Sequence, residues 1–161
     1  MKDQPIPVFQ TMETISLVGT MAIYSSQAEA SHGIPEQWCM FLKGHPSLGN
    51  SAKLHGASPC TSDRKIHYLT GVVQEDADNV ARERITLEAG EYAVVRVDDA
   101  TKLRDTWIWL LTSWLDGSGR RERNAPEFER YTAISESGTP TGPVEIWIPL
   151  EPLDAVAGDT P

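Results

Sequence analysis

The stretch IPEQWCMFL, residues 34–42, decides the predicted fold because it returns later in the chain with the same spacing. Its apolar residues recur at i, i+4, i+7 and i+8, which places them on one face of a helix. The stretch LRDTWIWLL, residues 103–111, repeats this pattern without a gap. Four positions match: Ile34 with Leu103, Trp38 with Trp107, Phe41 with Leu110 and Leu42 with Leu111. The chain is therefore predicted to contain two amphipathic helices of related pattern.

Residues that start and stop helices flank both stretches. Ser31 can cap the first helix with Pro35 in its first turn, and Gly44 can close it. Asp98 or Asp99 can cap the second helix, and the sequence GSG at 117–119 stops it.

Each predicted helix lies within the same succession of elements, which is strand, helix, strand, strand. In the first half, strands are predicted over 14–25, near 52–58 and over 66–74. In the second half, a long strand pattern over 81–98 is interrupted by a turn or bulge at Gly90. The later strands of that half are EFERYTAI, 127–134, and VEIWIPL, 144–150.

Two such units predict an α+β fold made of duplicated βαββ units. They would form a curved antiparallel sheet of about eight strands, with two helices on one face and a central cleft between the halves. We expect one domain over residues 1–161 with its core at about 12–151. Residues 1–10 contain two prolines and are predicted to be an irregular lead-in, and the tail DAVAGDTP, 154–161, is predicted to be irregular as well.

Composition argues against several classes of protein. The net charge of -9 disfavours nucleic acid as a partner, because such binding needs a basic surface. The two cysteines, Cys39 and Cys60, are too few for a disulfide framework. The N-terminus does not resemble a secretory signal, and the longest apolar run, WIWLL, is far too short to span a membrane. We therefore expect a cytoplasmic protein that has reduced thiols and does not bind membranes.

The sequence also lacks the usual motifs for metal and cofactor chemistry. Four histidines, His32, His45, His55 and His67, lie in polar segments without zinc-like spacing to the cysteines. The sequence has no phosphate-binding loop, dinucleotide fingerprint or nucleophile elbow. We expect neither a metal ion nor a cofactor.

Several stretches together resemble the GyrI-like small-molecule-binding family, which includes the effector-binding domains of AraC-type and multidrug-responsive bacterial transcription regulators. In the second half they are LEAGEYAVVRVDD, TWIWLLTSWL, PEFERY and VEIWIPL; in the first half they are LVGTMAIYSS, GIPEQWCMFL and HYLTGVV. The resemblance covers residues 12–151. It implies the duplicated fold and a cleft that binds aromatic or amphipathic, often cationic, small molecules.

The resemblance leaves three functional hypotheses open. Regulators of this family carry a helix-turn-helix domain before the module, and 161 residues leave no room for one, so the chain resembles the stand-alone members. The first hypothesis is a protein that senses or sequesters a small molecule, with no direct binding of nucleic acid. The second is a cofactor-independent hydrolase of strained electrophiles that uses Glu145 and Tyr68. The third is an inhibitor that acts on a protein such as gyrase.

The strand VEIWIPL raises the question of where its glutamate points. Side chains alternate between the two faces of a strand, so Glu145 and Trp147 share one face. A buried carboxylate needs a partner, and a cationic ligand stacked on Trp147 could supply it. The resemblance implies that Glu145 faces the ligand cleft. The alternative is that Glu145 lies on the solvated face of an edge strand.

Further candidates come from the aromatic residues. Tyr68 occupies a position where the family has a tyrosine, and its phenol could bond to a ligand or to Glu145. Trp38 and Trp107 occupy matching helix positions and could flank the cleft or belong to the core. The predicted ligand-binding residues are Glu145, Trp147, Tyr68, Trp107, Trp38, Tyr92 and Phe41. The open edges of such a sheet would also allow two copies to pair.

Overall fold

A computed structural model describes residues 4–46, 53–59, 61–74, 83–135 and 139–153. The described residues form eight strands, four in each half of the chain, and each half also contains one helical region. The strands are β1 Val8–Met12, β2 Ile15–Tyr24, β3 Leu54–Ser58, β4 Ile66–Val73, β5 Glu83–Leu87, β6 Gly90–Val97, β7 Glu127–Ile134 and β8 Pro140–Pro149. The helical segments are α1 Gln27–Gly44, a 3-10 turn Ala100–Lys102, α2 Leu103–Trp109, a π-helical turn Leu110–Trp114 and α3 Leu115–Ser118.

The strands form a single antiparallel sheet in the order β1-β6-β8-β7-β3-β4-β2-β5. Each half contributes three adjacent strands, β2 to β4 or β6 to β8, and β3 pairs with β7 where the halves meet. The first strand of each half is exchanged, because β1 pairs with β6 and β5 pairs with β2. The predicted α+β fold with an eight-stranded antiparallel sheet is thus confirmed.

Both helices cover the same face of the sheet. Trp38 and Phe41 of α1 belong to a buried cluster with Tyr131 and Val144, and Leu110 in the second half belongs to a cluster with residues of β6 and β8. The opposite face carries its own buried cluster, which includes Tyr92, Phe128 and Trp147. Of the helices described, none is long and apolar enough to span a bilayer.

The N-terminal segment differs from the prediction. Residues 1–10 were expected to be an irregular lead-in, but Val8–Met12 forms the edge strand β1. Four of its five residues are exposed, so the strand has no alternation of apolar and polar side chains to reveal it. The predicted irregular tail, 154–161, lies outside the described residues.

The cap of helix α1 lies five residues before the predicted one. Ser26, not Ser31, is the N-cap, and its hydroxyl accepts a hydrogen bond from the amide of Glu29 at 3.1 Å. The Glu29 carboxylate in turn accepts from the amide of Ser25, so the segment resembles a capping box. Pro35 does not lie in the first turn of the helix. It lies in the helix interior, and there its missing N–H removes one internal hydrogen bond. The predicted ends at Gly44 and at 117–119 agree with the structure, as does the cap at Asp99.

Replacing Ser26 with alanine should lower the free energy of unfolding by about 1 kcal/mol, because the helix loses its cap. The matched control is Ser31→Ala, since Ser31 bonds only within the helix, to the carbonyl of Gln27. Urea unfolding followed by circular dichroism measures both. A larger loss for Ser31→Ala than for Ser26→Ala would contradict the observed start of α1.

Candidate functional site

A cleft of about 710 Å³ lies between α1 and α2, above the strands where the two halves meet. We call it the central cleft. Four aromatic side chains line it: Trp38, Tyr68, Trp107 and Tyr131. Two acids, Glu127 and Glu129, also line it, as do the cationic residues Lys65 and Arg104 and the histidine His67. A volume of this size suits a small molecule of ordinary dimensions.

Glu129 is the polar centre of the cleft. Only 7% of this residue is exposed, and three donors converge on its carboxylate. The hydroxyls of Tyr68 and Tyr131 donate to Oε1 at 2.6 and 2.7 Å, and the indole of Trp107 donates to Oε2 at 2.9 Å. An ionised carboxylate accepts hydrogen bonds without donating any, so this set of partners matches its chemistry. Among the described residues, no ion pair includes Glu129.

The two matched tryptophans take part in the same network. Trp107 bonds directly to Glu129, whereas Trp38 donates its indole proton to the Tyr68 hydroxyl at 3.1 Å. Because the Tyr68 oxygen accepts from Trp38, its own proton is directed to Glu129. The equivalent helix positions of the two halves thus orient the same carboxylate from opposite sides.

Gly56 makes room for this network. It lies opposite Glu129 in the pairing of β3 with β7. A Cβ atom at this position would lie 1.9 Å from the Tyr68 hydroxyl and 3.1 Å from the Glu129 carboxylate. Any larger side chain would therefore displace the donor from its acceptor.

Burial sets the protonation of the other groups in the cleft. It raises the pKa of both Tyr68 and Tyr131 well above the usual value, and the neighbouring Glu129 raises each further, so both phenols stay protonated donors. Burial also raises the pKa of Glu127 to about 8, helped by a hydrogen bond and charge from Glu122 and by the charge of Glu129. Burial and the neighbouring acids therefore favour the neutral form of Glu127.

The structure brings three of the predicted site residues into the cleft, namely Trp38, Tyr68 and Trp107. Phe41 lies on α1 in the core and lines a separate, smaller cavity of about 440 Å³. Tyr92 is buried on the other face of the sheet, where its hydroxyl donates to the carbonyl of Glu88.

Glu145 and Trp147 do not line the central cleft. Val144, Ile146 and Ile148 pack under the helices, so their neighbours in β8 point to the opposite face. The cation that was expected from a ligand is supplied there by Arg130. Its guanidinium donates to Glu145 at 3.4 Å, and its Cζ lies 4.9 Å from the centre of the Trp147 ring. Since Tyr68 lies on the helix face, the predicted catalytic pair of Glu145 and Tyr68 is not assembled in one site.

The central acid of the cleft, Glu129, was missed by the sequence analysis. The stretch EFERY carried the signal, because alternation places Glu127, Glu129 and Tyr131 on one face of β7. Within the described residues, no group of three or more His, Cys, Asp or Glu side chains is arranged to hold a metal ion.

The model of the family Cass2, integron-associated effector binding protein, matches residues 10–150. A comparison with curated protein sequences gives no significant match.

Solved structures similar to this chain have the same fold at low sequence identity. SAV2435, determined bound to tetraphenylphosphonium, has a TM-score of 0.71 and 21% identity over 93% of this chain and 96% of its own. An integron cassette protein from the mobile metagenome of Vibrio cholerae has a TM-score of 0.67 and 15% identity, covering 90% of this chain and 95% of its own. The C-terminal domain of EcmrR has a TM-score of 0.59 and 14% identity, covering 92% of this chain and 99% of its own. At these identities the likeness establishes the fold alone.

Replacing Gly56 with alanine should lower the free energy of unfolding by about 1–3 kcal/mol, because the new methyl group overlaps the Tyr68 hydroxyl. The control is Gly117→Ala, where no atom lies within 4 Å of the added Cβ. Denaturant unfolding of both variants tests this. Equal stability of Gly56→Ala and the unmodified protein would show that the tyrosine and carboxylate do not need this glycine.

Replacing Glu127 with glutamine should remove part of the pH dependence of stability. The folded pKa of Glu127, about 8, lies above its usual 4.5, so its stabilising contribution is complete below about pH 4.5 and is lost as the pH rises through 8. The variant should therefore gain stability relative to the unmodified protein as the pH rises from 5 to 9. Urea unfolding at several pH values measures this difference, with Glu83→Gln on the edge strand β5 as the control for lost charge. A difference that stays constant with pH would contradict it.

Proposed function

Because the chain belongs to the Cass2 family of integron-associated effector-binding proteins, we propose that it binds a small aromatic or amphipathic cation in the central cleft. Binding would serve to sense or sequester the compound.

The observation that carries this proposal is the buried carboxylate of Glu129, which has three hydrogen-bond donors and no described ion-pair partner. Removing a carboxylate from water costs several kcal/mol, and neutral hydrogen bonds compensate for only part of that cost. A cation that enters the cleft would add the missing Coulomb attraction where the surroundings screen it weakly.

The walls of the cleft suit a cation whose charge is spread over an apolar body. Trp38 and Tyr131 meet edge to face with ring centres 5.6 Å apart, and Tyr68 and Trp107 add further aromatic surface. Aromatic faces attract cations by about 0.5–2 kcal/mol each. Such rings also bury the apolar surface of a ligand, which is the larger part of the binding free energy.

The occupied hydrogen-bond sites of Glu129 favour a particular kind of cation. A carboxylate offers about four acceptor positions, and protein donors already occupy three of them here. A ligand rich in N–H groups would find few acceptors, whereas a quaternary ammonium or phosphonium ion needs only charge and contact. The tetraphenylphosphonium bound to the similar SAV2435 is an ion of this type, which supports the proposal.

Tetraphenylphosphonium should bind this protein and quench its tryptophan fluorescence, and Glu129→Gln should weaken the affinity about 10- to 100-fold. The matched control is Glu145→Gln, which removes a glutamate on the opposite face of the sheet and should leave the affinity unchanged. Fluorescence titration and thermal shift measure both. Absence of binding to the unmodified protein, or equal affinity in Glu129→Gln, would refute the proposal.

A further inference from the structure

The central cleft carries positive charge at its mouth as well as negative charge at its centre. Lys65, just before β4, and Arg104, in the first turn of α2, both line the cleft and both have exposed side chains. In the described parts of the chain, neither forms an ion pair. The acid closest to Lys65 in sequence is Asp63, and its carboxylate is engaged by His67 and by the backbone amide of Lys65.

The other acid of the cleft does not offset these cations. Glu127 faces the same space, but burial and its shared hydrogen bond with Glu122 raise its pKa to about 8. Burial therefore favours its neutral form, so Lys65 and Arg104 place two cationic side chains at the mouth of the cleft, whereas the carboxylate of Glu129 lies at its centre.

Such a separation of charge discriminates between ligands that a uniformly acidic cleft would treat alike. A simple cation is attracted by Glu129 and repelled by the two bases at the mouth. A ligand that also carries an anionic group on its outward end is attracted at both places. Arginine and lysine at an accessible rim are well suited to a carboxylate, which arginine can bind through two parallel hydrogen bonds.

From this arrangement we propose that the central cleft selects zwitterionic aromatic compounds, with their cationic group on Glu129 and an anionic group held by Lys65 and Arg104. The inference rests on the proposed function, because it assigns the second half of the ligand for the same cleft.

The contribution of Lys65 and Arg104 to the binding free energy should be modest and sensitive to salt. Contacts between exposed charged groups are weak and are screened over about 10 Å at 0.1 M salt. We therefore expect the two bases together to favour the zwitterion by about threefold to tenfold at low salt. The preference should fall at 1 M salt, whereas contacts with the buried Glu129 should be less affected.

A matched pair of dyes tests this directly. Rhodamine B carries a carboxylate beside its cationic ring system, and its ethyl ester is the same cation without the anionic group. The affinity of both is measured by fluorescence anisotropy for the unmodified protein, for the double variant Lys65→Gln with Arg104→Gln, and for Lys102→Gln. Lys102 is exposed next to α2 and does not line the cleft, so it controls for the loss of a surface charge.

The expected result is tighter binding of rhodamine B than of its ester, with the preference lost in the double variant and kept in Lys102→Gln. Equal affinity for the two dyes, or a preference that survives in the double variant, would overturn the zwitterion proposal. If the ester binds in a manner that depends on Glu129, the proposed function stands even when the preference is missing. If neither dye binds, the zwitterion proposal fails, and the titration with tetraphenylphosphonium decides the proposed function separately.

Discussion

The arrangement of the cleft depends on one buried carboxylate. Glu129 draws its three donors from α2, β4 and its own strand β7, so both halves of the chain converge on it. A charge in such a place is tolerated only when its partners are held in position, and the sheet pairing of β3 with β7 fixes their positions. The residues that would contact a ligand are therefore the same residues that stabilise the junction between the halves.

On the opposite face of the sheet, a glutamate beside an aromatic residue is paired with an arginine of the same chain. Glu145 also lies beside a tryptophan, but Arg130 reaches across from the next strand to pair with it and to cover the ring. Burial lowers the pKa of His55 to about 3, with the charge of Arg130 as a second cause, so the ring stays neutral and accepts a hydrogen bond from Arg130. Among the described residues, Glu145 thus has a cationic partner and Glu129 has none.

The sequence predicted the fold better than the site, and the reason is physical. Periodicity reveals which residues share one face of an element, so both helices and most strands could be recognised. It does not reveal which face the helices cover. Glu129 and Glu145 each precede an aromatic residue by two positions, and only the pairing of β7 with β8 distinguishes them. In that pairing Glu129 lies opposite Ile146, beneath the helices, whereas Glu145 lies opposite Arg130.

The exchange of first strands between the halves also has a consequence for how such a chain could arise. Each βαββ unit contains three adjacent strands of its own, and its outermost strand comes from the other half of the chain. β1 pairs with β6 of the second unit, and β5 pairs with β2 of the first. A unit on its own would leave one edge of its three-stranded sheet unpaired and its own first strand without a neighbour. Two copies of one unit on separate chains could pair these edges by exchanging their first strands, as in a domain-swapped dimer.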